Sequence, residues 1–158
     1  MRIQSMALIH DKLYRSDDLA GIGFGEYLKE LSAHLIRTYA INPDAVTIQV
    51  EAADVRLGLN TAIPCGLLVN ELVSNSLKHA FPDDRKGEIS IKLKPVHDDQ
   101  VALTVSDNGI GLPDGLDIRK TKSLGMELVV ILAEGQLGGS LEEDRTDGTS
   151  FRVVFRNV

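Results

Sequence analysis

A chain of 158 residues with 43% hydrophobic and 25% charged side chains has the size and make-up of one globular domain able to bury a proper core. Its net charge of −6 argues against a general nucleic-acid surface, which shows a basic excess, and its single cysteine, Cys65, excludes an internal disulfide or a thiolate metal cage. No apolar run reaches membrane-spanning length and nothing reads as a signal peptide, so the expectation is a cytoplasmic domain without membrane or nucleic-acid contact, whatever a longer parent protein carries.

In chain order, residues 1–16 place Ile3, Met6, His10, Leu13 and Tyr14 along one side of a helix. That stripe is too short to bury itself alone and calls for a partner helix. It opens abruptly at Met1, as the end of a longer helix would. Asp17 to Gly25 is a glycine-rich joint. Its Gly21, Gly23 and Gly25 do not fit G-x-G-x-x-G, and the reading is a flexible connector that divides residues 1–23 from a compact domain over 24–158. Phe24, Tyr27, Leu28, Leu31, Leu35 and Tyr39 predict a second amphipathic helix, ending before Asn42-Pro43. Alternation of Val46, Ile48 and Val50 predicts a strand over 45–52, and a short extended piece over 55–59 follows.

The central helix runs from Asn60 to Phe81, with Asn60 or Thr61 as its cap and Pro64 in its first turn. Leu67, Leu68, Leu72, Val73 and Leu77 form its buried stripe. Pro82 stops it, and a charged turn over 83–87 follows. Ile89, Ile91 and Leu93, then Val101, Leu103 and Val105, predict a hairpin of two strands. The second strand runs into Asp107-Asn108-Gly109-Ile110-Gly111, a loop over 113–123, and a helix over 124–135 with Met126, Leu128, Val129 and Leu132 to pack. Strands over 140–144 and 150–156, joined at Asp147-Gly148, close the chain. Hairpins dominate this order. It therefore predicts a two-layer α/β sandwich with a mixed, mostly antiparallel sheet and helices packed on one face, not a doubly wound fold.

Four segments carry chemistry. Glu71, Asn75, Lys78 and His79 lie three and four residues apart and share one polar face of the central helix. A carboxylate, an amide, an ammonium and an imidazole suit a magnesium–polyphosphate ligand: the amide oxygen for a hard cation, Lys78 for phosphate oxygens, Glu71 to accept a proton or orient a nucleophile. A solvated face with an i,i+4 ion pair is the competing account. Asp107 ends a strand just before two glycines. There it can accept a hydrogen bond from the amine of a flat ring such as adenine, whereas guanine would set a carbonyl against an acceptor; alone, the five residues are equally a β-turn. Lys122 to Leu128 is a glycine-containing helix start whose free N–H groups form an anion site, or an ordinary helix start. Thr149, after Asp147-Gly148, can place a hydroxyl near the base, or simply follow a turn. The chain lacks a G-x-x-x-x-G-K-[ST] loop, H-E-x-x-H, C-x-x-C and G-x-S-x-G, and His34 and His97 stand isolated.

Together the segments resemble the catalytic ATP-binding domain of a sensor histidine kinase, in the GHKL superfamily shared with gyrase, Hsp90 and the MutL mismatch-repair proteins. Asn70 to Ala80 resembles the N box, Asp107 to Gly111 the first glycine box, Ser123 to Met126 the second, and Gly148-Thr149-x-Phe151 the terminal G-T-x-F. The resemblance implies the Bergerat-type ATP-binding fold, with ATP and Mg2+ bound and the γ-phosphoryl group passed to a histidine on a dimerisation helix. It implies Glu71 as the catalytic base and Asn75 as the Mg2+ ligand, with Lys78 and His79 on the phosphates. Asp107 would take the adenine amine, with Gly109, Gly111 and Thr149 around the base. The backbone at Leu124, Gly125 and Met126 would meet the phosphates under a lid over about 112–123. Residues 1–16 resemble the tail of the second dimerisation helix in the group whose acceptor lies in an H-R-x-K-N box. The acceptor helix is then outside this sequence, and His10 falls on an ordinary helix position. The implied partners are the protein's own dimerisation helices and a response regulator receiver domain. The second glycine box holds a single glycine and the lid no phenylalanine box, departures that bear on phosphate grip and lid closure. Alternatives are a GHKL-type ATPase, a serine protein kinase, or a degenerate nucleotide-sensing binding module.

Overall fold

The computed structural model describes residues 22–39, 42, 44–52, 55–81, 85–97, 99–110 and 124–157. The helix expected over 1–16, most of the glycine joint, Gly111, Lys122, Ser123 and the expected lid lie outside these. Among the described residues, no helix is long and apolar enough to cross a membrane.

Strand β1 (Ile22–Gly23) leads straight into helix α1 (Phe24–Thr38). Helix α1 buries Phe24, Tyr27, Leu28, Leu31 and Leu35, the stripe its spacing predicts. Glu26 in its first turn and Arg37 in its last complement the helix dipole. The glycine joint ends earlier than expected. Gly23 pairs with Arg56 of β3 (Arg56–Leu57), and Gly25 is helical, its lack of a side chain suiting the close approach to β2: a Cβ there would lie 3.2 Å from that of Ala52.

The main sheet runs in the order β2 (Val46–Ala52), β4 (Gly87–Pro95), β5 (Gln100–Asp107), β7 (Thr149–Arg156), β6 (Ser140–Asp144). Strands β2 and β4 are parallel, as a crossover through the central helix requires, and the other neighbours are antiparallel. Register aligns Ile91, Val105 and Phe151 in one row and Leu93, Leu103 and Val153 in the next, all buried, while Lys92, Lys94, Arg152 and Arg156 face solvent. One face of the sheet is thus the core face. The expected sandwich, with a mixed and mostly antiparallel sheet, is what the chain forms.

Helix α2 (Leu59–His79) is the centre of the molecule, packing against α1 on one side and α3 (Leu124–Val130) on the other. Ala62, Cys65, Leu68, Val69, Leu72, Val73 and Leu77 are all buried, whereas Leu67 is only half-buried. Its start departs from expectation. The cap is Gly58, in extended conformation and without a side-chain bond, and its carbonyl accepts from Thr61 N (3.0 Å) and Ala62 N (2.8 Å). Asn60 and Thr61 are therefore already inside the helix, and Pro64 falls in the second turn. The carbonyl four residues back belongs to exposed Asn60, where water can replace the missing partner. The helix ends at His79, closed by Ala80 N donating to Ser76 O at 2.9 Å, and Phe81 lies beyond it. Helix α3 continues as a π-helix over Ile131–Gln136, ending with Leu137 N on Leu132 O at 2.9 Å, a widening the apolar spacing did not announce. Between β6 and β7, Asp144 accepts from the backbone N and hydroxyl of Thr146, which hold its carboxyl below the usual range. Gly148 then turns the chain with φ +85°.

Two buried groups give tests of this core. Burial pushes the Cys65 thiol up to about 12. At pH 8 iodoacetamide should modify Cys65 in the folded chain on the order of a hundredfold more slowly than in urea, because thiolate and access are both lacking; comparable rates would mean that α2 is not the buried centre. Tyr27 is 2% exposed and its hydroxyl has no hydrogen-bond partner among the described residues. Tyr27→Phe should therefore leave urea stability unchanged or raise it by up to about 1 kcal/mol.

Candidate functional site

The polar side of α2 grades from buried to exposed along its last turns. Glu71 is 5% exposed and already engaged within the protein. Asn75, a turn later, is half-buried, and its amide Nδ2 is buried with no hydrogen-bond partner among the described residues. A buried amide hydrogen without an acceptor carries a cost of about 1–3 kcal/mol unless a ligand or water satisfies it. Lys78 and His79 are exposed. Lys78 Nζ sits over the ring of Tyr39, 5.5 Å from the centroid, just past the end of α1.

Asp107 closes β5 and is 7% exposed. Its Oδ1 accepts from Gly109 N at 3.0 Å and its Oδ2 from the Ser76 hydroxyl at 2.7 Å. Because Ser76 follows Asn75 on α2, this bond brings the strand-end carboxylate to the same part of the helix as the unsatisfied amide. Thr149, also 7% exposed, is Asp107's register partner on β7. Two glycines permit this closeness. A side chain on Gly109 would meet the Ala80 carbonyl oxygen, and one on Gly148 the Asp107 carbonyl oxygen. Ile110 N donates to Ala80 O at 3.0 Å, so the turn after β5 is laced to the end of α2. Asn108 adds a second lace: its backbone N donates to Glu88 O (3.2 Å) and its side-chain oxygen accepts from Glu88 N (2.8 Å). Gly125 and Met126 are buried at the start of α3, which packs on α2, and Leu124 is the first residue of that helix. Gly111 lies outside the described residues.

Helix and strand end thus come together around Asn75, Ser76, Asp107, Gly109 and Thr149. Spacing counted from Glu71 along the helix missed Ser76 and the Ala80 carbonyl. The available signal for Ser76 was a polar residue three before His79, on the flank of the polar face. His34 is held by Thr38 on the same helix and His97 is exposed, so neither joins the site. Among the described residues there is no group of three His, Cys, Asp or Glu side chains that could hold a metal ion. A magnesium ion suits such a site only if substrate phosphates and water supply most of its ligands, which is its usual habit, and the Asn75 amide fits as the single protein donor.

The family described as histidine kinase-, DNA gyrase B- and HSP90-like ATPase matches residues 60–157, and a second, described as histidine kinase, matches residues 1–39. Blue-light-activated histidine kinase 2 of Erythrobacter litoralis is 30% identical over 152 residues, which are 91% of this chain and 42% of that protein. Sensor histidine kinase PdtaS of Mycobacterium tuberculosis is 30% identical over 158 residues, 98% of this chain and 30% of that protein. The chain thus spans less than half the length of these curated relatives. Among solved structures, the histidine kinase domain of a blue-light activated histidine kinase from Erythrobacter litoralis superposes with a TM-score of 0.86 at 27% identity, over 99% of this chain and 73% of that one. Matching over most of its length, and with the fold described above, the chain belongs to the family of histidine kinase-, DNA gyrase B- and HSP90-like ATPases, as the catalytic ATP-binding domain of a histidine kinase.

Proposed function

We propose that this domain binds Mg–ATP in the space between α2 and the end of β5 and delivers the γ-phosphoryl group to a histidine on a dimerisation helix of the same protein, for onward transfer to a response regulator receiver domain in the cytoplasm. The observation that carries the reading is the pairing of a buried strand-end carboxylate with a helix that holds, one residue away, a buried amide lacking a partner among the described residues. Asp107 retains lone pairs for the adenine amine, with Gly109, Gly111 and Thr149 around the base. Asn75 holds the cation through its amide oxygen while its Nδ2 takes a phosphate oxygen or water. When bound, the cation neutralises charge on the phosphates.

The other residues act by position. Lys78 leaves the Tyr39 ring, an exposed cation–π contact worth about 0.5–1 kcal/mol, for a phosphate contact worth about 1.5–3 kcal/mol, so the exchange favours the nucleotide. His79 and the backbone from Leu124 to Met126 serve the phosphate chain. Glu71, buried on α2, orients the incoming imidazole and accepts its proton. Residues 1–23 belong to a dimerisation stem and its linker, and 24–158 to the catalytic unit. Burial of Phe24, Tyr27 and Leu28 in the common core supports putting α1 with the catalytic unit.

Two substitutions separate binding from transfer. Asp107→Asn loses a charged acceptor and turns amide hydrogens toward the base, so calorimetric titration should show ATP affinity lowered about ten- to a hundredfold; unchanged affinity would remove Asp107 from the base site. Glu71→Gln should bind ATP normally. In a longer polypeptide extended through the acceptor helix and incubated with radiolabelled ATP, it should lose at least about a hundredfold in histidine phosphorylation. Label on serine, or release of free phosphate with none on the protein, would favour the serine kinase or ATPase, and no turnover with nucleotide bound would favour a sensing module.

A further inference from the structure

Ser76 has no role in the proposed mechanism, yet its hydroxyl ties helix α2 to the Asp107 side chain. A carboxylate offers about four acceptor sites on two oxygens. In Asp107 one site on Oδ1 is taken by Gly109 N (3.0 Å) and one on Oδ2 by the Ser76 hydroxyl (2.7 Å). The two donors come from different elements, the glycine turn and the helix, so together they fix the plane of the carboxylate against both. The bond has a second consequence. A hydroxyl has one proton, and Ser76 gives it to Asp107, which leaves the Ser76 oxygen able only to accept. The pair therefore presents acceptors alone. A ring bearing an amine is matched twice, whereas a ring bearing a carbonyl at the same place meets no donor unless Ser76 abandons the carboxylate.

We propose that Ser76 is a positioning and specificity-determining residue: its hydroxyl holds Asp107 in place and, with its proton committed there, makes the pair select 6-amino over 6-oxo purines. This rests on the nucleotide reading above, and the test separates the two. Mg–ATP and Mg–ITP, whose bases differ at C6 and its neighbouring N1 proton, are titrated into the whole chain and into Ser76→Ala, Ser76→Thr, Ser76→Cys and Asp107→Asn, with circular dichroism confirming the fold of each. The parent chain should prefer ATP. Ser76→Ala should bind ATP about tenfold more weakly with ITP changed by no more than about twofold, so that the preference falls about tenfold. Ser76→Thr, which keeps the hydroxyl, should restore the preference, and Ser76→Cys, of similar size but a weak donor, should behave as alanine and serves if alanine fails to fold. An ATP-to-ITP ratio unchanged in Ser76→Ala and Ser76→Cys but collapsed in Asp107→Asn would overturn the role of Ser76 and leave the base site standing. Equal weakening of both nucleotides would likewise overturn it, as damage to the fold alone. A parent chain that binds neither nucleotide would overturn the nucleotide reading and this proposal with it, and one that binds both equally would overturn this proposal and the pairing of Asp107 with the adenine amine.

Discussion

A carboxylate buried at the end of a strand holds this structure's functional end together. Asp107 stands where β5 stops, flanked in register by Ile89 on β4 and Thr149 on β7, and hydrogen-bonded to Ser76 on α2. Three strands and the central helix converge on it. The approach is possible only because the neighbouring turns carry glycine where the Ala80 and Asp107 carbonyl oxygens leave no room for a Cβ. A charge in that position is costly to bury, and two donors reduce the cost without exhausting its acceptors. The remaining lone pairs are what a ligand can use.

The central helix does two jobs with two sets of residues. Leu68, Val69, Val73 and Leu77 bury it between the sheet and the flanking helices, and this burial, not any cap, holds it in place. The polar set then rides on a rigid support. Glu71 is buried and Asn75 half-buried, while Lys78 and His79 stand at the exposed end. In the proposed function, such a graded face would separate chemistry that needs a preorganised position from charge contacts that tolerate movement.

Much of this could be read in the residues because spacing and turn chemistry agree there. Alternating Ile89, Ile91 and Leu93 against Val101, Leu103 and Val105 gave the first hairpin, and Asp147-Gly148 the turn of the last one, since strand period and left-handed glycine are local properties. The cluster of Asn75, Asp107 and Thr149 was legible only through the order of its motifs, as no local rule joins residues 75 and 149. What escaped depends on contacts between elements. Gly25 was taken for a joint because its approach to Ala52 is a tertiary fact. Pro64 was placed one turn too early because the helix begins at Leu59, set by the chain leaving β3 through Gly58 and not by a capping side chain. Ser76 was passed over because its partner lies thirty-one residues on, and the lean of Lys78 onto Tyr39 follows from where α1 ends against α2.

The family relationship and the geometry support the same account: a purine held by Asp107, phosphates running along the polar side of α2, and a metal-binding amide between them. A crystal structure of the chain with magnesium and a non-hydrolysable ATP analogue tests this most directly. The account predicts the adenine amine within about 3.2 Å of an Asp107 carboxylate oxygen and the triphosphate beside Asn75, with the amide oxygen facing the cation. A base seated away from Asp107, or a triphosphate on the far side of α2, would contradict it.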